Sequence, residues 1–151
     1  MNKKIAIISA SIVVMLSGVT FAQSAYELGV TLTPVQISAL GSLKTFNVAN
    51  KTYRILPQSG DSGSYVINDL GKVGKCEGEV LISGVPTAQA KKALEKYQPK
   101  TVSIKVYDSL NIVSARFLNI VDAAQARNEL ADSIQGATVT LPIVFSLPKA
   151  K

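Results

Sequence analysis

The stretch that decides the fold is residues 101–121, which read TVSIKVYDSLNIVSARFLNIV. Apolar and polar residues alternate over positions 101–107, which predicts a strand with one buried side. Residues 112–121 predict the next strand, and the four residues between the two runs suit an antiparallel hairpin. The elements on either side are assigned outward from this hairpin.

Each side of the hairpin carries one helix pattern and one further strand pattern. A short apolar run at 79–83 predicts a strand, and an amphipathic stripe over 87–97 predicts a helix. Asp122 is the expected N-cap of a second helix, and Gly136 is the expected left-handed residue after it. Residues 137–147 then alternate over five apolar positions, which predicts one long last strand.

The resulting order is βαββαβ, which is typical of ferredoxin-like α+β folds. In such folds, a four-stranded antiparallel sheet carries two helices on one face. We assign this core to residues 78–147. Pro142 lies in the last strand, where a missing N–H is tolerated at a sheet edge, and the last strand of this topology is an edge strand.

Residues 23–77 are expected to form an N-terminal extension with a helix and a hairpin. The order Thr33, Pro34, Gln36 indicates an N-cap, a proline at the first helical position and a capping box. Residues 45–48 and 52–56 predict the hairpin. About 50 residues are too few to fold well alone, so we expect the extension to pack on the core. The favoured prediction is that it covers the face of the sheet that the helices leave open.

The first 22 residues predict a signal peptide. Lys3 and Lys4 precede an apolar run over 5–19, and Thr20-Phe21-Ala22 places small residues at −3 and −1 of a cleavage point. We therefore predict cleavage after Ala22 and a periplasmic or secreted protein, with an uncleaved membrane anchor as the alternative. No second apolar run approaches membrane-spanning length. Removal of the first 22 of the 151 residues leaves 129, which suits a single domain, residues 23–151.

The charge of the chain is mildly positive. The whole sequence has 16 Lys and Arg against 10 Asp and Glu, and the signal segment removes two lysines, which leaves about +4. This excess favours an anionic envelope component or another exported protein as partner. A basic surface that serves only solubility is the alternative.

The chain contains no histidine, which excludes Ser-His-Asp and Cys-His catalysis and His-ligated metal sites. Residues 60–64, GDSGS, resemble the nucleophile loop of chymotrypsin-like proteases, yet Ser62 has no base to activate it. Cys76 is the single cysteine, and we interpret it as a structural or incidental thiol. We predict no catalytic residue, no metal ligand and no cofactor.

One enzymatic alternative remains open. It needs a cleft with at least two of four carboxylates within hydrogen-bond reach of one another. These are Asp61, Glu77, Glu79 and Asp108.

The open face of the predicted sheet is the candidate interaction surface. The side chains assigned to it are Leu81, Lys105, Tyr107, Ile112, Arg116 and Leu118. The inner strands lack the stacking aromatics that an RNA-binding sheet needs, and export also argues against nucleic acid.

Two functions follow as hypotheses. The first is a non-enzymatic exported binding or accessory protein that uses the open sheet face or an edge strand. The second is a small exported inhibitor or immunity-type protein that blocks a hydrolase, with the loop 58–64 inserted into the foreign active site.

Overall fold

The computed structural model describes residues 26–57 and 63–146, and the predicted signal segment lies outside them. Within these ranges the chain is an α+β protein with two antiparallel sheets and few helices. The strands are β1 Thr45–Val48, β2 Lys51–Ile55, β3 Ser64–Ile67, β4 Val73–Cys76, β5 Glu79–Ser83, β6 Thr101–Tyr107, β7 Ile112–Phe117, β8 Thr138–Thr140 and β9 Ile143–Val144. The helices are α1 Pro34–Ala39, α2 Thr87–Leu94 and α3 Ile120–Ser133, with 3₁₀ turns at Glu95–Lys100 and Asp108–Leu110.

The first sheet has the strand order β1-β2-β3-β4-β9 and contains most of the extension. Helix α1 begins with the predicted capping box between Thr33 and Gln36. The β1–β2 hairpin turns at Ala49 and Asn50, both with positive φ, which is the geometry of a two-residue hairpin loop. Strand β4 was not predicted, because Gly74 lies in a glycine-rich segment. A Cβ at Gly74 would lie 2.8 Å from the ring of Phe145, so the glycine permits this close packing.

The second sheet has the strand order β6-β7-β5-β8. Helices α2 and α3 pack on one face of it, since Leu94 of α2 and Leu130 of α3 share a cluster with Val80 and Ile82 of β5. The described residues contain nine strands in two sheets rather than four in one. The ferredoxin-like topology is therefore not confirmed for this chain.

The prediction of one long strand over 137–147 is wrong. The chain pairs with β5 in the second sheet as β8, breaks, and then pairs with β4 in the first sheet as β9. Pro142 lies at the break, because proline has no N–H with which to continue a ladder. The partner strands change sheet in the same way: β4 belongs to the first sheet and β5 to the second, with Glu77 and Gly78 between them. The pair formed by β4–β5 and β8–β9 therefore bends from one sheet into the other.

The N-cap of helix α3 lies three residues before the predicted N-cap Asp122. Strand β7 ends at Phe117, and Asn119 is the N-cap. Its Oδ1 accepts from the N–H of Asp122 at 2.9 Å, and its Nδ2 donates to the Asp122 carboxylate at 2.7 Å. Asp122 thus occupies the third helical position, where its charge favours the helix N-terminus. Gly136 after the helix has φ +79°, as predicted.

The extension packs against the helix side of the second sheet. Phe46 and Val48 of β1 belong to the same buried cluster as Leu130, and α3 contacts β1 directly. On the opposite face, Lys105 and Tyr107 are exposed. The expected cover over the open face is therefore not observed in the part of the chain that the structure describes. No helix within these ranges is long and apolar enough to cross a membrane.

Candidate binding surface

Five of the six predicted surface residues lie on the same face of the second sheet. Lys105, Ser114 and Leu81 form one row across β6, β7 and β5, and Tyr107 lies opposite Ile112 in the next row. Arg116 lies between Ser103 and Glu79 in the row on the other side. Residues directly opposite one another share a face, so the register brings Leu81, Lys105, Tyr107, Ile112 and Arg116 together.

The sixth predicted residue, Leu118, lies beyond the end of β7. Its backbone N–H donates to the carbonyl oxygen of Lys100 at 2.9 Å, next to the start of β6. The side chain is 66% exposed, so Leu118 borders the open face rather than lying within it.

Two features of this face were missed from the sequence. Ser114, only 3% exposed, donates its hydroxyl to the carboxylate of Glu79 on the neighbouring strand. Val102 was expected on the buried side with Ile104, yet it is 62% exposed. The cause is an irregularity of the ladder between Thr101 and Ser103, which leaves Val102 without an opposite residue. The sequence carries no signal for that bulge.

The charged groups of the face form a short network. The Glu77 carboxylate lies 3.5 Å from Arg116 Nη2 and 3.6 Å from Lys75 Nζ. Such half-exposed ion pairs stabilise a protein little, so these cations are available to an anionic ligand at small cost. Lys105 makes no ion pair with any described residue.

A shallow depression of about 550 Å³ lies where the extension meets this face. Gly63 and Ser64 border it from the extension, and Arg116, Leu118 and Val102 border it from the second sheet. The lining also includes Glu77, so its one cation, Arg116, already has an anionic partner. The depression therefore offers a ligand an ion pair, exposed apolar side chains and the hydroxyls of Ser64 and Ser103.

Three of the four carboxylates named for an enzymatic site each have another polar partner. Glu79 binds Ser114, Glu77 binds Lys75 and Arg116, and Asp108 accepts from the Thr87 hydroxyl at 2.9 Å. Asp61 lies outside the described residues. Within residues 26–57 and 63–146, no three Cys, Asp or Glu side chains lie close enough to hold a metal ion.

Cys76 is buried in the main core cluster. Burial raises the pKa of its thiol, and a hydrogen bond with the Gly78 backbone opposes that rise. A thiol with a raised pKa is a weak nucleophile, which agrees with a structural role. The loop of the inhibitor hypothesis falls mostly outside the described residues, at 58–62, so that hypothesis stays a prediction.

No protein-family model, curated protein or solved structure matches this chain.

Proposed function

We propose that this protein is a non-enzymatic exported binding or accessory protein, and that its binding surface is the open face of the second sheet. The observation that carries the proposal is the placement of the extension. It packs with α3 on the helix side, and Lys105 and Tyr107 on the opposite face stay exposed. A sheet face that exposes Lys105 and Tyr107 beside partly buried apolar side chains is typical of an interaction surface.

The finer fold that we propose for the segment from β5 to β8 is ferredoxin-like. Two observations support it. The elements follow the order β5-α2-β6-β7-α3-β8, and the strand order β6-β7-β5-β8 places the first and third strands of the unit at its centre. In such a fold the face opposite the helices is the large accessible surface.

The partner that we propose is an anionic component of the envelope, or an exported protein that presents an anionic group. Lys105, which makes no ion pair with any described residue, supplies positive charge on this face, and Leu81, Tyr107 and Ile112 supply apolar contact area. Arg116 adds a second cation, which lies beside the carboxylates of Glu77 and Glu79. A guanidinium can bind a carboxylate or phosphate with two parallel hydrogen bonds, which favours Arg116 as the orienting group.

Export is part of the proposal and has its own test. The support for it is the pattern of basic, apolar and small residues over positions 1–22. Cells that express the full chain are fractionated, and the N-terminus of the exported protein is sequenced. We expect it to begin at Gln23. Retention of residues 1–22 would instead support the membrane-anchor alternative.

Binding is tested by co-sedimentation with anionic phospholipid vesicles and, separately, with purified cell-wall glycan. We expect the double variant Lys105→Gln, Arg116→Gln to lose affinity for the binding component by about tenfold, and the loss to shrink at high salt. The matched control is Lys91→Gln, Lys92→Gln, which removes the same charge from helix α2. An equal loss in both variants, or no binding to either component by the native protein, would contradict the proposal.

A further inference from the structure

Strand β6 is an edge strand, and its outer side faces no other described strand. Its seven residues pair with β7 alone. In an antiparallel ladder every second residue directs its N–H and C=O away from the neighbour, so an edge presents a row of unpaired backbone groups. The other edge strands within the described ranges are shorter, with four residues in β1, three in β8 and two in β9. Strand β6 therefore offers the longest edge for a further strand.

Exposed apolar side chains concentrate along this edge. The described residues include nine large apolar side chains that are exposed, and five of them lie in β6 or directly beside its ends. These five are Val102, Val106, Tyr107, Leu110 and Leu118. Apolar groups gathered at an unpaired strand mark a contact with another chain.

The sequence of this edge is complementary to itself. Residues 100–108 read KTVSIKVYD, with Ile104 at the centre. When two copies run antiparallel about Ile104, Lys100 of each copy comes near Asp108 of the other and Val102 comes near Val106, with the bulge between Thr101 and Ser103 at each end of the paired segment. Lys105 of each copy lies opposite Ser103 of the other, so the two lysines do not face each other. Opposite charges at both ends and apolar pairs between them favour this register over its neighbours.

Both end charges are accessible for such a contact. Lys100 Nζ lies 3.0 Å from Asp122 Oδ1, yet its side chain is half exposed and the ammonium has three N–H donors. Asp108 is exposed and accepts one bond, from Thr87. The contacts with Asp122 and Thr87 leave further hydrogen-bonding positions on both groups.

From this charge and side-chain complementarity, we propose that the β6 edge binds a second copy of this chain. Two β6 strands pair antiparallel about Ile104 and join the two four-stranded sheets into one continuous sheet. The two-fold axis is perpendicular to the sheet, so both pairs of helices lie on one side and the two open faces adjoin on the other. In the dimer both β6 edges are paired, so neither can bind a third copy. The proposal does not depend on what the open face binds.

The first test is the mass of the protein in solution, measured by sedimentation equilibrium over a range of concentrations on protein from cells that express the full chain. We expect a reversible dimer. Two variants place like charges opposite each other: Asp108→Lys sets a lysine against Lys100, and Lys100→Glu sets a glutamate against Asp108. We expect each of them to raise the dimer dissociation constant by about tenfold at low salt. Asp69→Lys and Lys51→Glu make the same charge changes at exposed positions of the first sheet and its loops and should leave the constant unchanged.

The second test mixes the two weakened variants. A pair of one Lys100→Glu copy and one Asp108→Lys copy has opposite charges at both ends, so the mixture should dimerise about as strongly as the native protein. This recovery also shows that both variants are folded. A native protein that is monomeric throughout the concentration range overturns the proposal, as does a mixture that stays monomeric. A monomer that binds an unrelated extended peptide at β6 overturns it as well. None of these outcomes bears on the binding of vesicles or glycan to the open face.

Discussion

Asn128 in helix α3 donates from its Nδ2 to the backbone carbonyl oxygen of Asn47 in strand β1 at 2.9 Å. The Oδ1 of the same amide accepts from the N–H of Ala49 at 3.4 Å. The Asn128 side chain thus joins a helix that packs on the second sheet to the backbone of the first sheet, at β1 and at the turn that follows β1. This contact joins the extension to the helices and so helps to leave the opposite sheet face uncovered.

Replacement of Asn128 should loosen this junction. We expect Asn128→Ala to lower the free energy of unfolding by about 1 kcal/mol, because a backbone donor and a backbone acceptor lose their partner. Asn128→Asp keeps the acceptor for Ala49 and loses the donor to Asn47. We expect it to lower the free energy of unfolding by a similar amount. The control is Asp132→Ala, an exposed position on the same helix. Urea unfolding measures all three, and equal stability of Asn128→Ala and Asp132→Ala would contradict the assignment.

The hydroxyl of Tyr97 donates to the carboxylate of Glu129 across the gap between the 3₁₀ turn and α3. This bond is the largest cause that lowers the pKa of Glu129 below its ordinary 4.5, followed by the bond from Gln125. Burial, together with the same bond, raises the pKa of Tyr97. We expect Tyr97→Phe to move the Glu129 pKa upward, which a carboxyl NMR titration measures.

The same substitution should make stability less dependent on acid. Because the pKa of Glu129 is lowered in the folded state, its contribution is present above the ordinary pKa and is lost as the pH falls through the folded value. The stability difference between the native protein and Tyr97→Phe should therefore be about 1 kcal/mol near neutral pH, because solvent screens the half-exposed Glu129, and it should shrink in acid. Tyr107→Phe, at an exposed site, is the control and should change neither quantity. A difference that is the same at both pH values would count against this role of the bond.

Gly84 is required by the close approach of two loops. It has φ +81°, and a Cβ there would lie 2.9 Å from the backbone carbonyl oxygen of Gly136. Gly136 has φ +79°, but a Cβ on it would meet no atom within 4 Å. We expect Gly136→Ala to lose about 1 kcal/mol through its left-handed backbone alone, and Gly84→Ala to lose about 1–3 kcal/mol more through the clash. Thermal unfolding compares the pair, and equal losses would show that the loops separate freely.

The thiol of Cys76 should react slowly while the protein is folded. Burial excludes reagents from the sulfur and raises its pKa, which lowers the thiolate fraction. We expect an aromatic disulfide reagent to modify it at least about a hundredfold more slowly in the native state than in denaturant. In the variant Ser109→Cys, the added thiol lies at an exposed position and should react rapidly while Cys76 still reacts slowly. Rapid modification of both thiols would place Cys76 at an accessible site.

Much of the local structure could be predicted because it depends on residues near one another in the chain. The capping box at Thr33 and the hairpin between β1 and β2 use contacts over three to nine positions. The alternation of β5, β6 and β7 also placed five of the six surface residues on one face, and the sixth, Leu118, lies beyond the end of β7. The alternation gave the wrong exposure for Val102, because a bulge depends on the neighbouring strand and not on the alternation itself.

The alternating pattern led to a wrong prediction where it could not show which other strand a segment pairs with. Residues 137–147 alternate without interruption, and the pattern is equally compatible with one sheet or two. Gly74 weakens the strand pattern of β4 in the sequence. A glycine is needed there because the ring of Phe145, about 70 residues later in the chain, packs against it. The Ser114–Glu79 contact likewise joins residues 35 positions apart.

By itself, the sequence determined the mixed α+β character of the protein, the helices and the face on which most of the candidate surface lies, because these depend on spacing along the chain. Only the tertiary structure decided that the last strand divides between two sheets and that the extension packs against the helices. Those outcomes depend on which distant backbone groups and apolar side chains satisfy one another. Pro142 interrupts the last strand in either case, but only the positions of β4 and β5 decide which sheet receives each half.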